Sequence, residues 1–348
     1  MKKPRVSKPI RVGSVIVGGG APVSVQSMSK TDTRDVHSPI NQIRELEECG
    51  CEIIRVAVPD QQAAAAIKKI RRGISIPLIA DIHFDYRLAL AAMASGADGL
   101  RINPGNIRDK QQVKKVVAEA KIREIPIRIG VNSGSLPPGK KPRRSIAVYM
   151  VDTAMQQVEL LESMDFDLIK IALKAFDVPT AIDAYRSIAR KTDYPLHLGI
   201  TEAGLPRTGI IRSATGIGIL LYEGIGDTVR VSLSAHPREE VFAAYEILKS
   251  LNLRQRGPVL ISCPSCGRSE SDIVGLATEV SNYLQSINKP IKIAVMGCVV
   301  NGPGEAKAAD VGIACGKGKG AIFKKGRVIR SVNERDYLRA LTDEIDSL

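Results

Sequence analysis

Residues 52–105 read EIIRVAVPDQQAAAAIKKIRRGISIPLIADIHFDYRLALAAMASGADGLRINPG, and this stretch decides the fold class. Three short runs rich in β-branched residues, at 52–59, 77–84 and 99–105, alternate with two alanine-rich stretches of helical pattern. Each helical stretch opens with Asp, a residue preferred at helix N-termini. The pattern predicts parallel β–α units, in which each strand is followed by a helix.

The same unit recurs over most of the chain. Further strand candidates lie at 22–28, 125–132, 167–174, 195–202 and 228–234, and the helix candidates include 60–73, 85–96, 109–124, 147–164 and 237–252. Eight β–α units in about 250 residues predict a (β/α)8 TIM barrel. An open doubly wound α/β sheet is the alternative, but no G-x-G-x-x-G follows the first strand and no G-x-x-x-x-G-K-[ST] occurs.

The pattern changes near residue 256. The segment 252–258 is typical of a linker, and a helix candidate at 272–287 and several short strands follow it. We therefore predict a substrate-binding barrel domain over residues 1–256 and a small α+β domain over residues 257–348.

Composition restricts the function classes. The chain of 348 residues has 50 Lys and Arg against 37 Asp and Glu, a net charge of +13, but only 4% aromatic residues and no Trp. Base stacking needs aromatic side chains, so nucleic acid is disfavoured as a partner. No apolar stretch approaches the roughly 20 residues that span a bilayer, and no secretory signal precedes the first strand. We expect no membrane association and a cytoplasmic location.

Charged residues recur at every second position of the predicted strands, between aliphatic ones. The cationic positions are Arg55, Arg101, Arg128, Lys170 and Arg230. Helices pack on the aliphatic face, so these five side chains are predicted to line the barrel interior. Burying unpaired charge costs several kcal/mol per ion, and Asp81 and Glu202 cannot neutralise five cations. The sequence therefore predicts an anionic ligand, and Arg and Lys suit a phosphate or diphosphate.

Three of the six cysteines lie in Gly- and Pro-rich motifs of the second domain. Cys263 and Cys266 form a C-x-x-C motif, and Cys298 precedes N-G-P-G-E, which ends at Glu305. This spacing indicates a metal or iron–sulfur site rather than a disulfide. A zinc tetrathiolate that adds Cys315 remains an alternative, and a thioredoxin-like dithiol is a weaker one.

Several motifs together resemble one enzyme family. They are C-P-S-C-G-R at 263–268, M-G-C-V-V-N-G-P-G-E at 296–305, and the barrel strings at 55–59, 80–84, 100–107, 127–136 and 197–204. Over its whole length the chain resembles the bacterial 4-hydroxy-3-methylbut-2-en-1-yl diphosphate synthases of the non-mevalonate isoprenoid pathway, in their two-domain form.

The resemblance implies a reaction. It is the reductive ring opening of 2-C-methyl-D-erythritol 2,4-cyclodiphosphate, with loss of water, to linear 4-hydroxy-3-methylbut-2-enyl diphosphate. Two electrons arrive through a [4Fe–4S] cluster from flavodoxin or ferredoxin. The second domain would then be the cluster-binding domain.

The resemblance also implies residue roles. The cluster ligands would be Cys263, Cys266, Cys298 and Glu305. The substrate-binding residues would be Arg55, Arg101, Asn103, Arg128, Asn132, Lys170, Arg230 and Ser232 or Ser262. The expected catalytic residues are Glu202, Glu305 and His83.

The path of the chain leads to an expectation about assembly. Helix 237–252 should leave the barrel on the order of 20 Å from its mouth. A head-to-tail homodimer, in which each cluster domain caps the barrel of its partner, resolves this separation. Two other function classes remain open at this point: a non-redox phosphate-binding lyase or transferase with a structural zinc module, and a basic RNA-binding protein with a zinc ribbon.

Overall fold

The computed structural model describes residues 1–82, 85–102, 109–136, 145–267, 269, 271–298, 304 and 306–348. The chain divides into two compact units, Met1–Arg254 and Gln255–Leu348. No helix in the described part of the chain is long and apolar enough to cross a membrane.

A parallel barrel forms the core of the first unit. The antiparallel hairpin of β1 (Ile10–Val12) and β2 (Val15–Val17) precedes it, and the barrel strands are β3 (Ser24–Met28), β4 (Ile53–Ala57), β5 (Leu78–Ile82), β6 (Gly99–Ile102), β7 (Ile127–Asn132), β8 (Ile169–Lys174), β9 (His197–Leu198) and β10 (Thr228–Val229). They pair in the order β8-β7-β6-β5-β4-β3-β10-β9, and a bridge between Ile171 and Leu196 joins the two ends. The prediction of a (β/α)8 barrel is confirmed.

Eight helices surround the strands. They are α1 (His37–Glu48), α2 (Gln61–Arg72), α3 (Tyr86–Ala94), α4 (Lys110–Ile122), α5 (Ile146–Glu162), α6 (Val178–Ala189), α7 (Pro206–Tyr222) and α8 (Pro237–Ser250). The Asp residues noted in the sequence act as N-caps: Asp60 accepts a hydrogen bond from the backbone N–H of Ala63, and Asp85 accepts one from that of Arg87.

The N-terminal hairpin closes one end of the barrel, a feature that the sequence pattern did not predict. Ile10, Val12 and Val17 pack against Ile53 and Ile79, which lie low on their strands and are almost completely buried. The hairpin therefore covers the N-terminal ends of β4 and β5 with apolar side chains, and the carboxyl ends of the strands form the mouth.

The described part of the second unit contains a mixed sheet and two helices. Its strands are β11 (Val259–Ser262), β12 (Lys292–Met296), β13 (Val311–Ala314), β14 (Lys319–Lys324) and β15 (Arg327–Asn333), and its helices are α9 (Ile273–Leu284) and α10 (Tyr337–Asp346). The first three strands are parallel, and the last two are antiparallel. The predicted α+β class is confirmed.

The junction of β8 and β9 depends on a side chain. The two strands share little backbone pairing, since β9 has only two residues. The hydroxyl of Tyr185, on α6, accepts a hydrogen bond from the backbone N–H of Leu173 at 3.2 Å and donates one to the carbonyl of His197 at 2.6 Å. This fully buried hydroxyl replaces hydrogen bonds that longer strands would make.

Substituting Tyr185→Phe should therefore destabilise the barrel by about 1–3 kcal/mol, because two buried backbone groups lose their partner. Urea unfolding followed by circular dichroism measures this change. Tyr222→Phe is the matched control, since Tyr222 is 54% exposed, and it should change the free energy of unfolding little. Equal stability of the two variants would contradict the role of Tyr185.

Candidate active site

The inward side chains of the barrel lie in layers. Adjacent strands are staggered by one residue, so residues from alternate strands share a layer. The observed register gives an upper layer of Arg55, Arg101, Ala172 and Arg230, and a lower layer of Gln26, Ile79, Arg128 and His197. Lys170 lies one layer deeper than the lower layer, and Lys174 stands nearer the mouth.

Two buried carboxylates orient the arginines of the upper layer. Asp81 pairs with Arg101 at 2.9 Å and with Arg55 at 3.5 Å. Glu240, which reaches in from α8, accepts a hydrogen bond from Arg230 at 3.3 Å. These three guanidinium groups are therefore held in place before any ligand arrives.

Three other cations of the interior have no such partner among the described residues. Within the described part of the chain, no carboxylate pairs with Arg128, Lys170 or Lys174, although Arg128 is only 3% exposed and Lys170 only 1%. The Lys170 ammonium and both ring nitrogens of His197 are buried, with no hydrogen-bond partner among the described residues. An unpaired buried charge is costly, so such groups either lose their charge or pair with an anion.

The protonation equilibria reflect the same imbalance. Burial, together with the neighbouring Arg128, lowers the pKa of Lys170 to about 7. Burial, followed by the charge of Arg230, lowers the pKa of Lys174 well below its usual value. Burial and nearby cations lower the pKa of His197 as well, so its imidazole is neutral. An anion between these groups would raise all three pKa values.

Two glycines make room for the cations. A Cβ on Gly130 would lie 3.0 Å from Nε of Arg101. A Cβ on Gly199 would lie 2.5 Å from Nζ of Lys174 and 2.6 Å from the carbonyl oxygen of Arg230. The missing side chains thus give the long basic side chains the space that they occupy inside the barrel.

The structure places the remaining predicted barrel residues at the carboxyl ends of the strands. Asn132 is the last residue of β7, and Ser232 follows β10. Glu202 follows β9, is exposed, and has a φ of 55°, in the left-handed region. The predicted residues His83 and Asn103 lie outside the described residues.

Sequence reasoning missed two charged residues at this end. Lys30 and Glu240 form an ion pair at 3.1 Å beside Arg230. Glu240 follows Glu239 in the first turn of α8, where acidic residues are common on any exposed helix, so it carried no distinguishing signal. Lys30 lies in the loop after β3 and follows no strand pattern.

Cys263 and Cys298 follow the carboxyl ends of two neighbouring parallel strands, β11 and β12. Cys263 follows β11, and its N–H donates to the carbonyl of Val295 on β12 at 3.2 Å. The N–H of Gly297, next to Cys298, donates to Sγ of Cys263 at 3.1 Å. Cys266, three residues after Cys263, is exposed. The hydroxyl of Ser262 donates to the carbonyl of Cys263 at 3.4 Å, so Ser262 lies in this unit and not in the barrel. Glu305 lies outside the described residues.

This arrangement fits thiolate ligation of an iron–sulfur cluster. A backbone N–H aimed at Cys263 stabilises a thiolate, and a Cβ on Gly297 would lie 3.1 Å from that sulfur. In the described ranges, no three His, Cys, Asp or Glu side chains lie close enough together to hold a single metal ion.

Two further cysteines are more deeply buried than these three, although Cys315 lies close to Cys263 in the second unit. Cys315 follows β13, and burial raises its pKa to about 12. Burial also raises the pKa of Cys51, in the barrel, to about 12. Both thiols are almost completely buried, as expected for cysteines that serve packing.

Comparison with protein families accounts for both units. The model of the GcpE TIM-barrel domain matches residues 7–245, and that of the GcpE protein C-terminal domain matches residues 259–347. The chain belongs to the GcpE family. The resemblance found in the sequence is confirmed, and so is the class of enzyme, an oxidoreductase.

GcpE relatives match this chain from end to end. A protein of Dehalococcoides mccartyi (strain BAV1) is 64% identical over 344 residues, and one of Thermodesulfovibrio yellowstonii is 53% identical over 347 residues; each match covers 99% of both chains. One of Geobacter sulfurreducens is 54% identical and covers 98% of both chains. All three are named 4-hydroxy-3-methylbut-2-en-1-yl diphosphate synthase (flavodoxin).

Solved structures match the barrel fold alone. Dihydropteroate synthase from Xanthomonas albilineans, in complex with 7,8-dihydropteroate, covers 71% of this chain and 98% of its own, with a TM-score of 0.54 and 14% identity. The enzyme from Yersinia pestis covers 71% and 99%, with a TM-score of 0.53 and 11% identity.

The lowered pKa of Lys170 predicts proton uptake on anion binding. At pH 8 the free amine is mostly neutral because its pKa is about 7, and a bound diphosphate favours the ammonium form. Calorimetry with inorganic pyrophosphate, in two buffers of different ionisation enthalpy, should show proton uptake that Lys170→Met reduces. Lys69→Met, at an exposed position, is the control. Unchanged uptake in Lys170→Met would show that another group takes the proton.

Proposed function

We propose that this GcpE protein catalyses the reductive ring opening of 2-C-methyl-D-erythritol 2,4-cyclodiphosphate to 4-hydroxy-3-methylbut-2-enyl diphosphate, in the cytoplasm. The observation that carries the substrate class is the excess of cations in the barrel. Six basic side chains face inward, against two carboxylates among the described residues, Asp81 and Glu240; the cations are Arg55, Arg101, Arg128, Lys170, Lys174 and Arg230. A cyclic diphosphate supplies compact negative charge that offsets part of this excess.

The barrel residues bind and orient the diphosphate. Arg55 and Arg101, which Asp81 holds in place, present fixed guanidinium groups to phosphate oxygens. Lys170 becomes charged as the anion arrives, so its charge is available when it is needed. Positioning of this kind places the ring carbons and hydroxyls toward the mouth, where Asn132, Ser232 and Glu202 lie.

Glu202 is the proposed proton donor for the departing oxygen. It is exposed after the carboxyl end of β9 and has a positive φ. A non-Gly residue keeps this conformation only where the surrounding turn fixes the backbone. His83 is the proposed second acid. Loss of water needs a proton at the leaving oxygen, which a carboxylic acid near the substrate hydroxyls supplies.

The second unit would hold a [4Fe–4S] cluster through Cys263, Cys266, Cys298 and Glu305. When bound, the cluster would supply the two electrons of the reaction one at a time. Glu305 would leave its position as substrate binds. Flavodoxin is the proposed donor, in line with the names of the relatives.

The proposed assembly is a head-to-tail homodimer. Helix α8 has 14 residues, about 21 Å at 1.5 Å per residue, and it runs away from the mouth of the barrel. The chain therefore leaves the first unit at the end opposite the diphosphate site. A second copy, arranged about a two-fold axis, would bring its cysteines to this mouth and receive the reciprocal contact.

Metal analysis tests the cofactor. Anaerobically reconstituted wild-type protein should be brown and contain about four irons per chain. Cys298→Ser should lose most of this iron, whereas Cys51→Ser, the control at a buried thiol of the barrel, should retain it. A colourless protein with one zinc per chain would overturn the redox assignment. Formation of the allylic diphosphate with reduced flavodoxin then tests the reaction.

Mixed dimers test the assembly. A Cys298→Ser chain has an intact barrel, and an Arg128→Ala chain has intact cysteines. In a head-to-tail heterodimer, one of the two sites combines the intact halves, so a mixture of the two inactive variants should recover about a quarter of wild-type activity. The control is Cys298→Ser mixed with a Cys298→Ser, Arg128→Ala double variant, which should stay inactive. No recovery in the first mixture would indicate that each chain serves its own barrel.

A further inference from the structure

Glu240 is buried on α8, unlike the acidic residue that precedes it. Its side chain is 1% exposed, whereas Glu239, the residue before it, is exposed. A buried carboxylate is stable only when hydrogen bonds or ion pairs compensate the lost solvation. The contacts of Glu240 therefore identify the groups that its carboxylate fixes in position.

Both carboxylate oxygens of Glu240 are fully engaged. Oε1 accepts from the backbone N–H of Leu233 at 3.0 Å and lies 3.1 Å from Nζ of Lys30. Oε2 accepts from Nη2 of Arg230 at 3.3 Å and from Oγ of Ser27 at 3.4 Å. The four partners belong to two chain segments, one that includes β3 and one that follows β10.

Lys30 connects the same two segments. Its ammonium group donates to the carbonyl of Leu233 at 2.7 Å and also to that of Ala235. Lys30 and Glu240 together connect residues 230–236 to the loop after β3, and we call this pair of side chains the tie. Arg230 begins this segment and Ser232 lies within it, so one end of the tie contains two residues of the proposed diphosphate site.

We propose that Glu240 is a positioning residue that fixes Arg230 and residues 231–236 in the geometry that binds a diphosphate. This inference rests on the proposed function. The Nε of Arg230 has no partner among the described residues, so the guanidinium group keeps donor capacity for a ligand while Glu240 holds its Nη2. Without Glu240, the side chain would have to order itself when the ligand binds, which costs affinity.

A purely electrostatic role predicts the opposite sign. A negative charge close to an anion site repels the anion, so a Glu240 that acted only through its charge would weaken diphosphate binding. Neutralising it would then tighten binding. The positioning role predicts weaker binding in the neutral variant, and one measurement therefore separates the two roles.

The experiment is calorimetric titration of the full-length protein with inorganic pyrophosphate. Glu240→Gln should weaken pyrophosphate affinity about tenfold or more, as expected for lost hydrogen bonds to charged groups. Glu239→Gln, the exposed neighbour, should leave the affinity unchanged. In an Arg230→Ala background, the effect of Glu240→Gln should shrink several-fold, because the residue that it positions is gone.

Three results would overturn the inference: unchanged affinity in Glu240→Gln, tighter binding, or an equal loss with and without Arg230. Should Glu240→Gln fail to fold, Lys30→Met removes the other half of the tie. It should weaken affinity several-fold, and unchanged affinity would be equally decisive. Failure of the proposed function is distinct, since the wild-type protein itself would then bind no pyrophosphate.

Discussion

The barrel interior buries basic side chains away from water, and the rest of the structure must compensate for the cost of this burial. Most barrels fill this space with branched aliphatic side chains, and here only Ile53 and Ile79, above the N-terminal hairpin, do so among the strands β3 to β5. The rest of the interior carries basic groups that two carboxylates do not neutralise. Stability must therefore come from the aliphatic outer face of the strands and its helices, which form one continuous buried cluster.

The inner face of the strands carries charged side chains and the outer face provides stability. The backbone pairing of the barrel is least extensive at its shortest strands. Strands β9 and β10 have only two residues each, because the chain bends early into the loops that carry Glu202 and Ser232. Backbone groups freed in this way need other partners. Tyr185 supplies them between β8 and β9, and Glu240 with Lys30 supplies them between β10 and β3. Side chains thus complete the barrel where short strands do not.

The sequence predicted the parts of this structure that follow a period. Alternation along the strands placed Arg55, Arg101, Arg128, Lys170 and Arg230 on one face, and Asp before a helical pattern marked the helix starts. The hairpin of β1 and β2 was not predicted from the sequence, because six residues are too few to show a period. The burial of Glu240 was not predicted either, because it results from contacts with Ser27 and Lys30, more than 200 residues earlier in the chain. Such contacts have no local signal.

The two units provide different chemical environments. In the proposed function the barrel binds a diphosphate, which fixed buried cations favour, and the second unit ligates an iron–sulfur cluster, whose thiolates are stabilised by backbone N–H donors. The barrel provides such cations in the guanidinium groups held by Asp81 and Glu240. The sheet provides such a donor where Gly297 donates to Cys263. Placing the cysteines among the barrel cations would add negative charge that competes with the diphosphate. Thiolates on a separate unit leave those cations free for the substrate.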